Sequence, residues 1–120
     1  MLVQGIDERR LARERNGADF VVFIYTGGDA PQTSWAVDSL LITEAVMSEV
    51  LQWLTDNLPA GSCWSLGLVH GPAQPSEDTD VDVAWIVGSD VLNISPSDRS
   101  RDQQLIAQEM LARRDRVVLL

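Results

Sequence analysis

The sequence predicts an α+β protein, in which one mainly antiparallel sheet of about four or five strands packs on two helices as a two-layer sandwich. Three observations support this class. Short runs of β-branched and aromatic residues recur between turn signals, as expected of strands. Two longer stretches carry apolar residues at helical spacing. The apolar content of 45% is sufficient for the core of a single domain over residues 1–120.

The first stretch, residues 7–16, consists of good helix formers and allows two interpretations. Asp7 is a suitable helix N-cap, and Asn16-Gly17 is suited to end a helix. The same Asn-Gly dipeptide is also a strong signal for a two-residue hairpin turn. We favour a short helix over the hairpin.

A central strand and the main helix are predicted next. Residues 20–25 form a continuous β-branched and aromatic run, which is typical of a central strand covered on both faces, or on one face with aromatics at the edge. From about residue 33 to 57, most apolar residues fall on one broad arc when successive residues are rotated by about 100°. Leu41 is the exception, because it falls in the polar arc. We predict one long helix over 33–57, capped by Thr33 or Ser34 and buried against the sheet.

Two strands follow the main helix. In residues 63–70, large apolar residues alternate with small ones, which indicates a strand with one buried face. Residues 81–87 alternate in the same way. The connector 71–80 is polar and carries two prolines, as expected of an exposed loop. A short edge strand is predicted over 91–94.

The C-terminal part predicts a second helix and a last strand. Ser95-Pro96-Ser97-Asp98 has the pattern of a capping box with proline at the first helical position, so a helix is predicted from there to about Arg114. Residues 117–120 are all apolar and indicate a strand. From residue 20 onward, the predicted order is the βαββαβ order of ferredoxin-like sandwiches.

Charge is strongly segregated along the chain. The net charge is −9, and residues 17–98 contain no lysine or arginine. This middle stretch instead carries twelve carboxylates: Asp19, Asp29, Asp38, Glu44, Glu49, Asp56, Glu77, Asp78, Asp80, Asp82, Asp90 and Asp98. Such a charge disfavours binding to nucleic acid or to anionic membranes and favours a basic protein partner.

The acidic run 77–82 is the stretch that most suggests metal chemistry. Its alternating acids resemble the start of a calcium loop, but Val83 and Ser89 stand where an EF-hand has glycine and glutamate. Asp80-Val81-Asp82-Val83 is similar to the strand dyad of minimal nucleotidyltransferases, in which two acids hold magnesium. The upstream turn, Gly71-Pro72, lacks the serine of that family, and no cation lies nearby in sequence to meet a polyphosphate.

The remaining chemical residues indicate neither catalysis nor a cofactor. Cys63 is the only cysteine, so no internal disulfide forms and a reducing, cytoplasmic location is expected. The N-terminus lacks a signal-peptide pattern, and no apolar run is long enough to cross a membrane. Cys63 and His70 are seven positions apart on one predicted strand, so they are expected on opposite faces. Gly27-Gly28-Asp29 lacks the lysine of a phosphate-binding loop.

These observations predict a small acidic, non-enzymatic binding protein. The preferred function is an immunity or antitoxin-type inhibitor that neutralises a basic toxin, such as a nuclease, by electrostatic complementarity. No catalytic residue, metal or cofactor is predicted. The predicted partner-binding residues are Glu77, Asp78, Asp80, Asp82, Asp29 and Trp64. Trp64 lies near the start of its predicted strand, where it is expected to be an exposed anchor for a partner. The alternatives are a structural or small-molecule-binding domain, dimerising through a sheet edge, and a metal-dependent enzyme that uses the acids of 77–82.

Overall fold

The computed structural model of the chain describes residues 1–7, 9, 17–27, 35–70 and 82–117. These residues form four strands and two α-helices, which confirms the α+β class. In chain order the elements are β1 (Ala18–Gly27), β2 (Trp35–Ala45), α1 (Met47–Asn57), β3 (Cys63–His70), β4 (Asp82–Val87) and α2 (Arg101–Ala112). Two short 3-10 turns, Asp90–Asn93 and Pro96–Asp98, precede α2.

The strands form one antiparallel sheet in the order β2-β1-β3-β4. The hydrophobic β1 is an inner strand, as predicted, and Phe20 pairs with Ile42 on one side and with Leu68 on the other. The ferredoxin-like order is not confirmed, because the described elements follow the order ββαββα.

The predicted helix over 33–57 is wrong in its first half. Residues 35–45 are strand β2, and only Met47–Asn57 is helical. Val37, Leu40 and Ile42 are half-buried beside β1. Pairing nine of the eleven residues of β2 with an apolar inner strand outweighs local helical preference, since propensity is a weak prior against tertiary packing.

Asp19 and Glu44 mark the point where the strand ends and the helix begins. Glu44 adopts a left-handed conformation with φ of 51°. Its backbone N–H donates to the buried carboxylate of Asp19, at 3.0 Å. Two residues later Val46 precedes the helix, and its N–H donates to the Glu49 side chain at 3.0 Å. This turn cannot be part of a continuous helix, because a left-handed residue interrupts it.

The two helices lie on opposite faces of the sheet. Val50 and Leu54 of α1 pack with Phe20, Val22 and Ile24, the even-numbered residues of β1. Ala107 and Met110 of α2 pack instead with Tyr25 of β1 and with Cys63. Alternate strand residues point to opposite faces, so the sheet is the middle of three layers. The predicted two-layer sandwich is therefore wrong.

The segment before α2 also differs from the prediction. Residues 91–94 do not add a strand; Val91 and Leu92 are buried in a 3-10 turn beside α2. The α2 helix begins at Arg101, later than predicted, because Ser100 is its N-cap and exchanges hydrogen bonds with Gln103 in a capping box. Most of the predicted last strand, residues 118–120, and most of the region 7–16 lie outside the described residues.

Candidate functional site

Four exposed carboxylates lie on the α1 side of the sheet. Asp38 of β2 pairs with Ile24, so both point to the face that α1 covers. Asp82 of β4 pairs with His70 and points to the same face. Glu49 and Asp56 lie on α1 itself. We call Asp38, Glu49, Asp56 and Asp82, all exposed, the acidic face.

The acidic face has no counter-charge from its own elements. Residues 17–98, which supply all of β1, β2, α1, β3 and β4, contain no lysine or arginine. Arg9 forms an ion pair with Asp7, at 2.8 Å, outside the acidic face.

Two of the C-terminal arginines, Arg99 and Arg114, lie away from the acidic face. Arg114 donates hydrogen bonds to the carbonyl oxygens of Gly61, at 2.6 Å, and Gly27, at 2.8 Å, and lies 5.1 Å above the ring of Trp35. Arg99 donates to backbone carbonyl oxygens in the turn before α2. These guanidinium groups bind carbonyl oxygens at the end of the sheet and in the α2 layer.

Arg113 lies instead on the α1 side, 6.0 Å from the ring centroid of Trp64, which pairs with Ile24. The α2 helix in turn carries the acids Asp102 and Glu109, so both faces of the molecule hold side chains of both signs.

The structure describes two of the six predicted partner-binding residues. Asp82 is exposed at the start of β4 and belongs to the acidic face. The second described residue is Trp64. The remaining four, Glu77, Asp78, Asp80 and Asp29, lie outside the described residues.

Trp64 does not form the predicted exposed anchor. Its exposure is 2%, and its Nε1 donates to the carbonyl oxygen of Arg116 at 2.8 Å. The indole belongs to the core cluster on the α1 side, where Leu66 follows it along β3. The correction follows from strand alternation, because Trp64 shares the face that α1 covers.

A buried polar network lies on the opposite face. The Tyr25 hydroxyl is 3.1 Å from Ser65 Oγ and donates to Asp90 Oδ1 at 2.9 Å. Tyr25 is fully buried, so these partners satisfy a group that would otherwise be costly to bury. The sequence analysis missed this network. The available signal was Ser65, a polar residue at an inward position of a predicted strand. Because Asp90 lies in the turn after β4, the network holds this turn against the sheet.

Cys63 and His70 lie on opposite faces, as predicted. Cys63 pairs with Tyr25 and is buried, whereas His70 pairs with Asp82 and is exposed. In residues 1–7, 9, 17–27, 35–70 and 82–117, no group of three or more histidine, cysteine or acidic side chains is placed to hold a metal ion.

The free energy of unfolding should fall at alkaline pH because of Tyr25 and Cys63. Burial is the main cause that raises the pKa of Tyr25 above its ordinary value, with a further contribution from Asp90, and burial also raises the pKa of Cys63. Above about pH 8.5–10 the unfolded chain ionises these groups while the folded chain keeps their protons. Stability is therefore fully present below that range and is lost as pH rises, by at most about 1.4 kcal/mol per pH unit for each group.

Urea unfolding between about pH 7 and 11 measures this effect. Tyr25→Phe and Cys63→Ala each remove one ionisable group, and each should flatten the alkaline decline even if stability at neutral pH is lower. Equal alkaline slopes for the wild type and both variants would contradict the assignment.

Comparison with protein-family models, with curated proteins and with solved structures finds no significant match for this chain. Neither helix of the described residues has the length and apolar character needed to cross a bilayer. The functional argument therefore depends on the arrangement of the chain's own residues.

Proposed function

We propose that this chain is a non-enzymatic immunity or antitoxin-type protein that neutralises a basic toxin, such as a nuclease, by covering its cationic surface. The observation that carries the proposal is the acidic face, whose strands and helix contain no lysine or arginine. A nucleic-acid-cleaving enzyme presents a positive cleft to phosphates, and exposed carboxylates are complementary in charge to it.

The same charge distribution favours fast association. An excess of negative charge on a surface steers a positively charged partner and raises its on-rate, and salt screens the effect. The proposal includes a cytoplasmic location, which the single free cysteine supports, because Cys63 is buried as a thiol. The four acids outside the described residues, Asp29, Glu77, Asp78 and Asp80, remain part of the proposed partner-binding set.

A second candidate is a non-enzymatic domain that binds a small apolar molecule. The observation that favours it is a shallow apolar depression of about 320 Å³ on the sheet face opposite α1. We call it the apolar depression; it is lined by Val21, Phe23, Ser39, Leu40, Leu41 and Val83. Binding of an apolar fluorescent dye to the wild type, and its loss in the Val21→Asp variant, would support this candidate.

A matched pair of charge-reversal variants tests the proposed function. Asp56→Lys with Asp82→Lys alters the acidic face, and Asp98→Lys with Glu109→Lys makes the same change in net charge outside it. Basic proteins from the organism's lysate are captured on the immobilised wild type and eluted with a salt gradient. The eluted protein is then purified and assayed as a nuclease.

The proposal expects inhibition of that nuclease by the wild type, and about tenfold slower association of the acidic-face variant at low salt. The control variant should differ from the wild type by much less. Equal slowing by both variants would show that only net charge matters. Failure of the wild type to inhibit any captured nuclease would overturn the proposed function.

A further inference from the structure

The two edges of the sheet differ in how they are protected from pairing. The β4 edge has six residues and a register shift opposite Leu66 and Gly67. The β2 edge has eleven residues, and its register with β1 is regular from Ile42 back to Trp35. It contains no lysine or proline, the residues that commonly block an edge. In the described ranges, no strand pairs with the outer side of β2.

The side chains of β2 differ between its two faces. On the α1 side, Asp38 is exposed and belongs to the acidic face. On the other side, Leu41 pairs with Val21, is 46% exposed and borders the apolar depression together with Ser39. A strand added beside β2 would therefore meet one carboxylate, Asp38, flanked by Ala36 and Leu40 on the α1 side. On the other side it would meet Ser39, Leu41 and the apolar depression.

We propose that the outer edge of β2 accepts an extended segment of the basic partner, which continues the sheet as a fifth strand. Successive residues of a strand point to opposite faces, so the segment should alternate basic and apolar side chains. One of its basic side chains would lie beside Asp38, and its apolar side chains would lie beside Leu41 and the apolar depression. Backbone hydrogen bonds to β2 would supply affinity, as in other cases of strand addition. This inference rests on the proposed function.

Charge complementarity selects a cationic partner over a second copy of this chain. Each copy has a net charge of −9, and its β2 edge carries Asp38 and Glu44 with no cation. Pairing two such edges brings like charges together, which is unfavourable at a strand interface. A segment with lysine or arginine at alternate positions replaces that repulsion with attraction.

Peptides provide a direct test with the full-length chain. The probe is a capped peptide of about ten residues that alternates lysine and valine, close to the length of β2. One control has the same composition with lysines and valines in separate blocks, and a second has alternate backbone amides N-methylated. Binding is measured by calorimetry, and the exchange of β2 amide hydrogens is measured with and without peptide.

The alternating peptide should bind more tightly than both controls and slow exchange of the outward-facing β2 amides by about tenfold. Asp38→Lys and Leu41→Lys should each weaken its binding by about fivefold, whereas Glu109→Lys, on α2, should change it little. Equal binding by the block peptide, or slowed exchange confined to α1, would overturn the inference.

A concentration-dependent dimer with protected β2 amides in the free protein would also overturn it, because a second copy would then occupy the edge. The proposed function has separate tests. If the peptides fail while a captured nuclease is still inhibited through Asp56 and Asp82, the basic partner is retained and strand addition alone is rejected.

Discussion

Leu54→Ala is expected to lower the free energy of unfolding by about 3–4 kcal/mol, and Met110→Ala by a similar amount. Both side chains are fully buried, Leu54 in the core beneath α1 and Met110 in the core beneath α2. Each truncation removes buried apolar area and leaves a cavity. Because a domain of this size is stable by only about 5–15 kcal/mol, either loss is a large fraction of the total. Urea unfolding followed by tryptophan fluorescence measures it.

The coupling between the two cores tests the three-layer arrangement. Val50→Ala on α1 is a milder truncation that can be combined with Met110→Ala without exhausting the stability of the chain. Since the sheet separates these positions, their effects should add to within about 0.5 kcal/mol. A larger coupling energy would mean that the helices share one core, as the two-layer prediction requires.

The error over residues 33–57 shows why the state of one segment, helix or strand, was harder to predict than the α+β class of the whole fold. Val37, Leu40 and Ile42 fit a helical arc when they are read together with the later apolar residues of α1. Leu41 did not fit the arc, and its pairing with Val21 explains why. The local helical pattern was overridden by β1, because a long apolar inner strand needs a hydrogen-bonded strand on each side. This requirement cannot be seen within residues 33–57 alone.

Placing the helices and the charges required the register of the sheet. The absence of cations over residues 17–98 is readable from the sequence, but the faces on which Asp38 and Asp82 lie follow from their pairing with Ile24 and His70. Trp64 illustrates the same limit. Its position near the start of β3 suggested exposure, whereas alternation along the strand placed it in the core beneath α1.

Gly67→Ala is expected to destabilise the fold by about 2–3 kcal/mol. Gly67 is buried in β3, opposite Trp85 of the neighbouring strand. A Cβ at this position would overlap Cγ1 of Val83 and would lie 3.3 Å from the Trp85 ring. Valine is stiff about its first side-chain torsion, so it cannot easily turn away. Trp85 is also held edge-on against Phe23, with ring centroids 5.2 Å apart. Thermal and urea unfolding would measure the loss.

Val83→Ala should rescue this substitution, because it removes the atom that a Cβ at Gly67 would overlap. Val83→Ala alone is expected to cost about 1 kcal/mol, since Val83 is only half-buried. In the Val83→Ala variant, Gly67→Ala should lower the free energy of unfolding by less than about 1 kcal/mol. Alanine has less backbone freedom than glycine in the unfolded chain, which offsets part of this loss. The pair should therefore be strongly coupled, in contrast to Val50 and Met110. If Gly67→Ala lowers the free energy of unfolding as much in the Val83→Ala variant as in the wild type, the Val83 side chain does not pack against Gly67. The position of Val83 at the apolar depression would then also be wrong.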